Sequence, residues 1–207
     1  MLLLLVRHGQ SLGNVESRIQ DDHDPLTDFG REQARAVANA LASRHDITHL
    51  YCSLLARAVE TATIIGNAVE RTPTPIPGLA EINAGRAAGL LWEHWRAANP
   101  DQALIMADPA RDVEAGWEGG ESGREFGDRV IGAYDDIVAR HLGTNDVVVA
   151  VGHGGSLAWI AAAVHGDSLE VWPGARAAFS NCSISEIRVD AKGTGTPGPW
   201  NQTDHLE

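Results

Sequence analysis

The chain has 207 residues and a formal net charge of −12, from 28 acidic against 16 basic side chains. Hydrophobic residues make up 43% and charged residues 21%, which supplies a full core and excludes wholesale disorder. The negative balance argues against nucleic acid or an anionic membrane as partner, and the longest apolar run, residues 1–6, is far short of the roughly 20 residues of a membrane span.

Residues 2–6 form a continuous apolar run bounded by charge, the pattern of a strand buried on both faces. Between 27 and 43 the apolar positions Ala34, Val37, Ala38 and Leu41 fall at helical spacing. Residues 49–53 read as a second strand and 55–69 as a second helix. Three prolines between 72 and 77 leave room only for an edge strand. Residues 85–120 are irregular and carry Trp92, Trp95 and Trp117, with a short helix over 91–98. Ser122 and Glu125 have capping-box spacing and start a helix whose apolar positions include Phe126, Val130, Tyr134, Ile137 and Val138. The clearest buried strand, 147–151, runs into Gly152-His153-Gly154-Gly155 and an alanine-rich helix over 156–164. Ile184, Ile187 and Val189 suit a last strand over 183–189, and 194–207 read as a tail.

Strands alternating with helices predict an α/β three-layer sandwich, a mostly parallel central sheet with helices on both faces. Residues 1–207 then make one domain, with 85–120 as an irregular cap insertion that sets substrate specificity. Two cysteines, Cys52 and Cys182, cannot build a disulfide framework, which fits a reducing cytoplasm.

In such sheets the ligand lies beyond the carboxyl ends of the strands. Arg7-His8-Gly9 and Gly152-His153-Gly154-Gly155 both stand at that address. A dinucleotide fingerprint at the second would need glycine where Leu157 stands, and a serine-hydrolase elbow would need serine where His153 stands. What remains is a catalytic or phosphate-binding histidine, or a turn histidine bonded to backbone. Two histidines at the ends of two buried strands are not what core packing asks for. Metal ligation finds no Cys/His cluster with zinc-like spacing.

The sequence resembles the histidine phosphatase superfamily, also called phosphoglycerate mutase-like. Arg7-His8-Gly9-Gln10-Ser11 with Asn14 looks like the opening R-H-G-x-[ST]-x-x-N. Pro25-Leu26-Thr27 with Gly30, Gln33 and Ala34 resembles the P-L-T-x-x-G-x-x-Q-A run. Ser53, Leu55, Arg57, Ala58, Thr61 and Ala62 resemble S-x-L-x-R-A-x-x-T-A. Leu79, Glu81 and Gly85 resemble the acid segment, and Gly120-Glu121-Ser122 and residues 151–155 complete the order. The resemblance implies that His8 is a nucleophile forming a phosphohistidine. It implies that Arg7, Arg57 and His153 grip the phosphoryl oxygens, with Asn14 and the Gly154 N–H assisting, and that Glu81 is the acid/base. It implies a small phosphorylated substrate, no metal and no other cofactor, and leaves room for a homodimer. Asn201, Thr203, His205 and Leu206 resemble the family's N-x-[ST]-x-H-L ending, read as packing.

Some residues depart from the pattern or compete within it. Asp21, Asp22 and Asp24 follow Gln20 where the family has glycine, and acids beside a phosphate must point outward or meet a cationic part of the substrate. Leu54 replaces a common proline. Glu93 and Glu121 compete with Glu81 as proton donor. Trp92 and Trp95 share a helix face, which suits packing or a substrate-facing cap. The expected activity is metal-independent hydrolysis of phosphomonoesters, with a cofactor-dependent phosphoglycerate mutase as the alternative. Glu81 is followed by Ile82, Asn83, Ala84 and Gly85, with Arg86 the only nearby base, where a mutase needs extra cations for a carboxylate.

Overall fold

The computed structural model describes residues 1–108, 112–176 and 179–207, so 109–111 of the expected cap lie outside the described residues. The two apolar runs become the central strands of a six-stranded sheet. β1 (Leu2–Arg7) pairs in parallel with β4 (Val147–Gly152), from Leu2 opposite Val147 to Arg7 opposite Gly152. Beyond β4 lie β2 (His49–Cys52) and the edge strand β3 (Thr74–Pro75), both parallel. On the other side of β1, β5 (Ile184–Val189) and β6 (Gly195–Pro197) run antiparallel, so the order is β3-β2-β4-β1-β5-β6.

Strand alternation sends Leu4, Val6, Val149 and Val151 to one face and Leu3, Leu5, Val148 and Ala150 to the other. The single-turn α1 (Leu12–Val15) follows β1. α2 (Asp28–Arg44) and α3 (Ala56–Val69) seal the first face with Val37, Leu41, Ala62 and Ile65. Within 85–120 sit α4 (Trp92–Ala98) and α5 (Pro100–Ala107), whose cluster joins Ile19, Ala84, Ala87 and Trp95 to Trp92, Met106 and Trp117. The second sheet face is sealed by α6 (Gly123–Arg140) and α7 (Gly154–His165), through Phe126, Val130, Leu157 and Trp159. These are the three layers expected, and the capping box of Ser122 and Glu125 forms as its spacing predicts. Among the described residues no helix is long and apolar enough to cross a membrane.

Two expectations are corrected. Residues 194–207 are not a tail, because β5 presents an open edge that Gly195–Pro197 pairs, and Asp204–Leu206 closes with a 3-10 turn. Pro197 fits there because an edge strand tolerates a residue without an N–H. His205 donates to the Cys182 carbonyl at 2.9 Å, the packing role expected of it. The second correction is α5, which opens on Pro100 at a first-turn position suited to proline and buries no residue, so no apolar period announced it.

Candidate active site

The parallel register of β1 and β4 places Arg7 opposite Gly152, so the residues that follow both strands emerge side by side. His8 and His153 stand with ring centroids 5.0 Å apart, both buried. Arg57 joins them from the first turn of α3, itself buried. Local contacts hold this turn. The Gly9 N–H donates to Thr61 Oγ1 at 3.1 Å, and the Thr61 hydroxyl donates to the Arg57 carbonyl at 2.7 Å. A Cβ on Gly9 would lie 2.4 Å from the Gly30 carbonyl oxygen, so the start of α2 can cross this turn only against glycine.

His8 Nδ1 lies 2.7 Å from the Gly9 carbonyl oxygen. A carbonyl only accepts, so Nδ1 carries the proton and Nε2 keeps its lone pair. Burial, then the charges of Arg7 and Arg57, holds His8 well below the ordinary histidine range, against a smaller opposing pull from the Gly9 carbonyl. Burial and the Arg57 charge do the same for His153. Ser53 Oγ accepts from the Leu55 N–H and lies 2.8 Å from His153 Nε2, so its proton is available to that nitrogen. The other ring nitrogen, Nδ1, is buried with no partner among the described residues. The Nε atoms of Arg7 and Arg57 are buried and unpartnered in the same way. Their other contacts are to carbonyls, Arg7 Nη1 on Phe179 at 2.5 Å and Arg57 Nη1 on Asp21 at 2.7 Å. Burial lowers both arginines from their usual values. Desolvated donors around a neutral imidazole make a receptor for a compact, highly charged oxyanion.

Glu81 faces them from the segment after β3. Its carboxylate accepts from the Gly155 N–H at 2.9 Å and from the Ile82 N–H at 3.0 Å. A Cβ on Gly155 would stand 2.2 Å from Glu81 Oε1, so the fourth residue of Gly152-His153-Gly154-Gly155 is glycine to seat this carboxylate. Arg129 of α6 fixes the segment from outside, donating to the carbonyls of Gly78, Ala80 and Glu81 at 3.0, 3.1 and 3.3 Å. It also binds both Glu121 oxygens at 2.8 Å. Burial raises the Glu121 carboxyl, but the Arg129 and Asn83 hydrogen bonds, which engage both its oxygens, prevail and hold it low. Glu93 is exposed on α4 beside His94.

A cavity of about 320 Å³ opens above, lined by Arg7, His8, Arg57, Glu81 and Gly154 and walled by Ile19, Ile82, Ala84, Trp92, Trp117 and Trp172. Trp92 thus serves the cavity while Trp95 is buried against Trp117 at 4.9 Å. Asn14 does not stand on this wall. Its Oδ1 caps α1, accepting from the Ser11 N–H and Oγ–H, and Asn181 bridges it to the His8 carbonyl. Arg18 and Gln20 line the cavity instead. Of the acids at 21–24, Asp22 is exposed and Asp24 is paired with Arg18 at 2.6 Å. Asp21 turns its carbonyl, not its carboxylate, to Arg57. Sequence reasoning assigns no role to Ser53, Arg129, Gly155 or Asn181. Ser53 and Gly155 lie inside family motifs, whereas Arg129 and Asn181 carry no motif at all.

Residues 3–201 match the model of the histidine phosphatase superfamily (branch 1). The chain belongs to the histidine phosphatase superfamily. A glucosyl-3-phosphoglycerate phosphatase of Mycolicibacterium vanbaalenii is 32% identical over 206 residues, covering 96% of this chain and 88% of that protein. A probable phosphoglycerate mutase, GpmB, of Yersinia pestis is 34% identical over 204 residues, covering 95% and 86%. The native structure of a mycobacterial glucosyl-3-phosphoglycerate phosphatase superposes with a TM-score of 0.84 at 27% identity, covering 98% of this chain and 99% of that one.

Proposed function

We propose that this histidine phosphatase hydrolyses small phosphomonoesters through a phosphohistidine on His8, without a metal ion, in the cytoplasm. The observation that carries the reading is the Nδ1–H of His8 bonded to the Gly9 carbonyl, which leaves Nε2 as a neutral nucleophile among three buried donors. The phosphoryl oxygens lie against Arg7, Arg57 and His153, with the Gly154 N–H at the α7 N-terminus, and Asn14, whose Oδ1 is held by Ser11, keeps only its Nδ2 hydrogens to assist from α1. Nε2 attacks phosphorus in line with the ester oxygen; the P–N bond forms as the P–O bond breaks. Protonated Glu81 gives its proton to the departing alkoxide. As a carboxylate it then takes a proton from water, whose oxygen attacks phosphorus, the P–N bond breaks, and inorganic phosphate leaves. Charge stabilisation by fixed donors does most of the work in such transfers.

Residues 85–120 act as a cap over the leaving group. Among the described residues lining the cavity, the cations beyond Arg7 and Arg57 reduce to Arg18, and Glu16 and Asp24 neutralise it at 2.6 Å each. A mutase needs a cation free for the sugar-acid carboxylate, so this wall favours hydrolysis of esters whose remainder is apolar or ring-shaped. The mutase reading keeps the support of the GpmB likeness. Incubation with 3-phosphoglycerate and 2,3-bisphosphoglycerate, followed by phosphorus NMR, separates the two. Phosphate release without 2-phosphoglycerate is expected, and isomerisation outrunning release would establish the mutase.

A further inference from the structure

At the opposite end of the sheet, where β2 and β4 begin, His49, His141 and Asp146 converge. One ring nitrogen from each histidine and one Asp146 oxygen lie within 4.8 Å of one another. The three come from the start of β2, the end of α6 and the turn before β4, so no sequence motif joins them. The length of β4 separates them from His153 by roughly 20 Å. We propose that these residues form a divalent transition-metal site, suited to zinc, that is distinct from the phosphoryl-transfer centre.

Donor chemistry and geometry carry it. Asp146 Oδ2 lies 2.8 Å from His141 Nδ1 and 4.0 Å from His49 Nδ1. Ligands on tetrahedral zinc, with bonds of about 2.0 Å, stand about 3.3 Å apart. One observed separation is shorter and the other longer, and all three ligand atoms lie within 4.8 Å of one another, so closure of the set onto an ion is mainly a movement of His49. His141 is built as a ligand is built. It is buried, its Nδ1 faces Asp146, and its Nε2 lies 2.9 Å from the buried Tyr51 hydroxyl. A ligating imidazole is held this way, by a hydrogen bond on its other nitrogen. Without metal, Nδ1–H donates to the carboxylate and Tyr51 donates to Nε2. With the ion on Nδ1, the ring proton moves to Nε2 and Tyr51 becomes the acceptor, so the neutral ring loses no proton. His49, exposed on one side and with its ring centroid 4.3 Å from that of His141, would exchange the exposed contact of its Nδ1 with Thr48 Oγ1 at 3.0 Å for the ion. Two imidazoles and one carboxylate favour zinc, cobalt or nickel over calcium or magnesium, and the fourth position is left to water.

Chelator-treated full-length protein titrated with cobalt chloride tests this. The expected result is a tetrahedral visible spectrum that saturates at one equivalent, is displaced by zinc, and persists in His8→Ala. His49→Ala, a change at a half-exposed side chain, should weaken binding at least about tenfold, and Tyr51→Phe about tenfold. Zinc should raise the melting temperature of the wild-type protein and not that of His49→Ala, whose phosphatase turnover stays unchanged. A wild-type protein that binds no cobalt would overturn the site. So would binding that survives His49→Ala or vanishes in His8→Ala, since the ion would then sit elsewhere.

Discussion

At the phosphate end of the cavity the functional side chains hang from strand ends and from the first turn of α3, each pinned by backbone. Nδ1 of His8 is on Gly9, Arg57 reaches the Asp21 carbonyl, and Glu81 sits on two backbone N–H groups. The leaving-group end is different. Its indoles come from α4 and from loops, pack on one another at centroid distances of 4.9 to 5.9 Å, and are fringed by exposed ion pairs such as Arg86 with Glu118. Exposed pairs add little rigidity, whereas buried and backbone-bonded groups leave few alternatives. Under the proposed function the chemical step belongs to the first region and the choice of ester to the second, and graded substitutions can break that division.

The largest loss belongs to His8→Ala. Removing the proposed nucleophile should lower turnover of p-nitrophenyl phosphate by at least about 10³-fold, while EDTA should leave the wild-type rate untouched. The wild-type pH profile bears on the same residue. His8 is held well below the ordinary histidine value, so its neutral form persists as pH falls through about 6.5 and the acid limb of kcat/KM should carry no His8 ionisation there. The unfolded chain does take up protons in that range at His8 and His153, so denaturant midpoints should fall as pH drops below it. A mutant that still turns over would move the chemistry off the strand ends.

Arg57→Ala comes next. Loss of a buried donor aimed at developing charge should cut kcat by about 10²–10³-fold. Among the described residues the guanidinium's hydrogen bonds reduce to one, to the Asp21 carbonyl, and its Nε has no partner, so thermal stability should change little. A collapse in melting temperature would show Arg57 to be a structural ion-pair partner.

The strand-end histidine was legible in the sequence because a buried strand gains nothing from a polar end unless that end binds something. Arg57 needed the family run as well, since an arginine in a first helical turn has many ordinary uses. The strands 2–6 and 147–151, the capping box at Ser122 and the convergence of His8 with His153 follow from periodicity and from the rule for strand ends. Asn14 matches the family run, and the capping of α1 by its Oδ1 is a local contact that the motif does not reveal. Arg129 was illegible for the opposite reason. It grips carbonyls of Gly78 and Ala80, and carbonyl partners leave no trace in side-chain identity. The β6 edge and the His49–His141–Asp146 cluster depend on pairings between residues distant in the chain, which no local period encodes.

Glu81→Gln probes the boundary between the two regions. The carboxamide keeps an acceptor for the Gly155 N–H and removes the transferable proton. Alkyl phosphates, whose alkoxides need protonation, should lose about 10²-fold in kcat, and p-nitrophenyl phosphate only a few-fold, because its phenolate leaves unaided. Arg129→Met should reproduce the same selective loss in weaker form, by freeing the segment that carries Glu81. Equal losses on both esters would place the proton donor elsewhere.

The smallest effect separates the regions most cleanly. Trp92 lines the cavity on one side and is covered by the Arg96 guanidinium at 5.2 Å, and Trp117 stands beside it at 5.9 Å. Its ring is therefore held in place, although α4 is only two turns long. An aromatic contact of this kind is worth about 0.5–1.5 kcal/mol, or roughly 2- to 12-fold in binding. Trp92→Ala should therefore raise KM for a naphthyl phosphate several-fold and leave kcat nearly constant, because the contact is the same in the ground and transition states. A small alkyl phosphate that does not reach the wall should keep both constants. If kcat falls for both esters alike, the indole cluster is positioning Glu81 or the phosphate through Ile82 and Ala84, and the cap belongs to the chemical step.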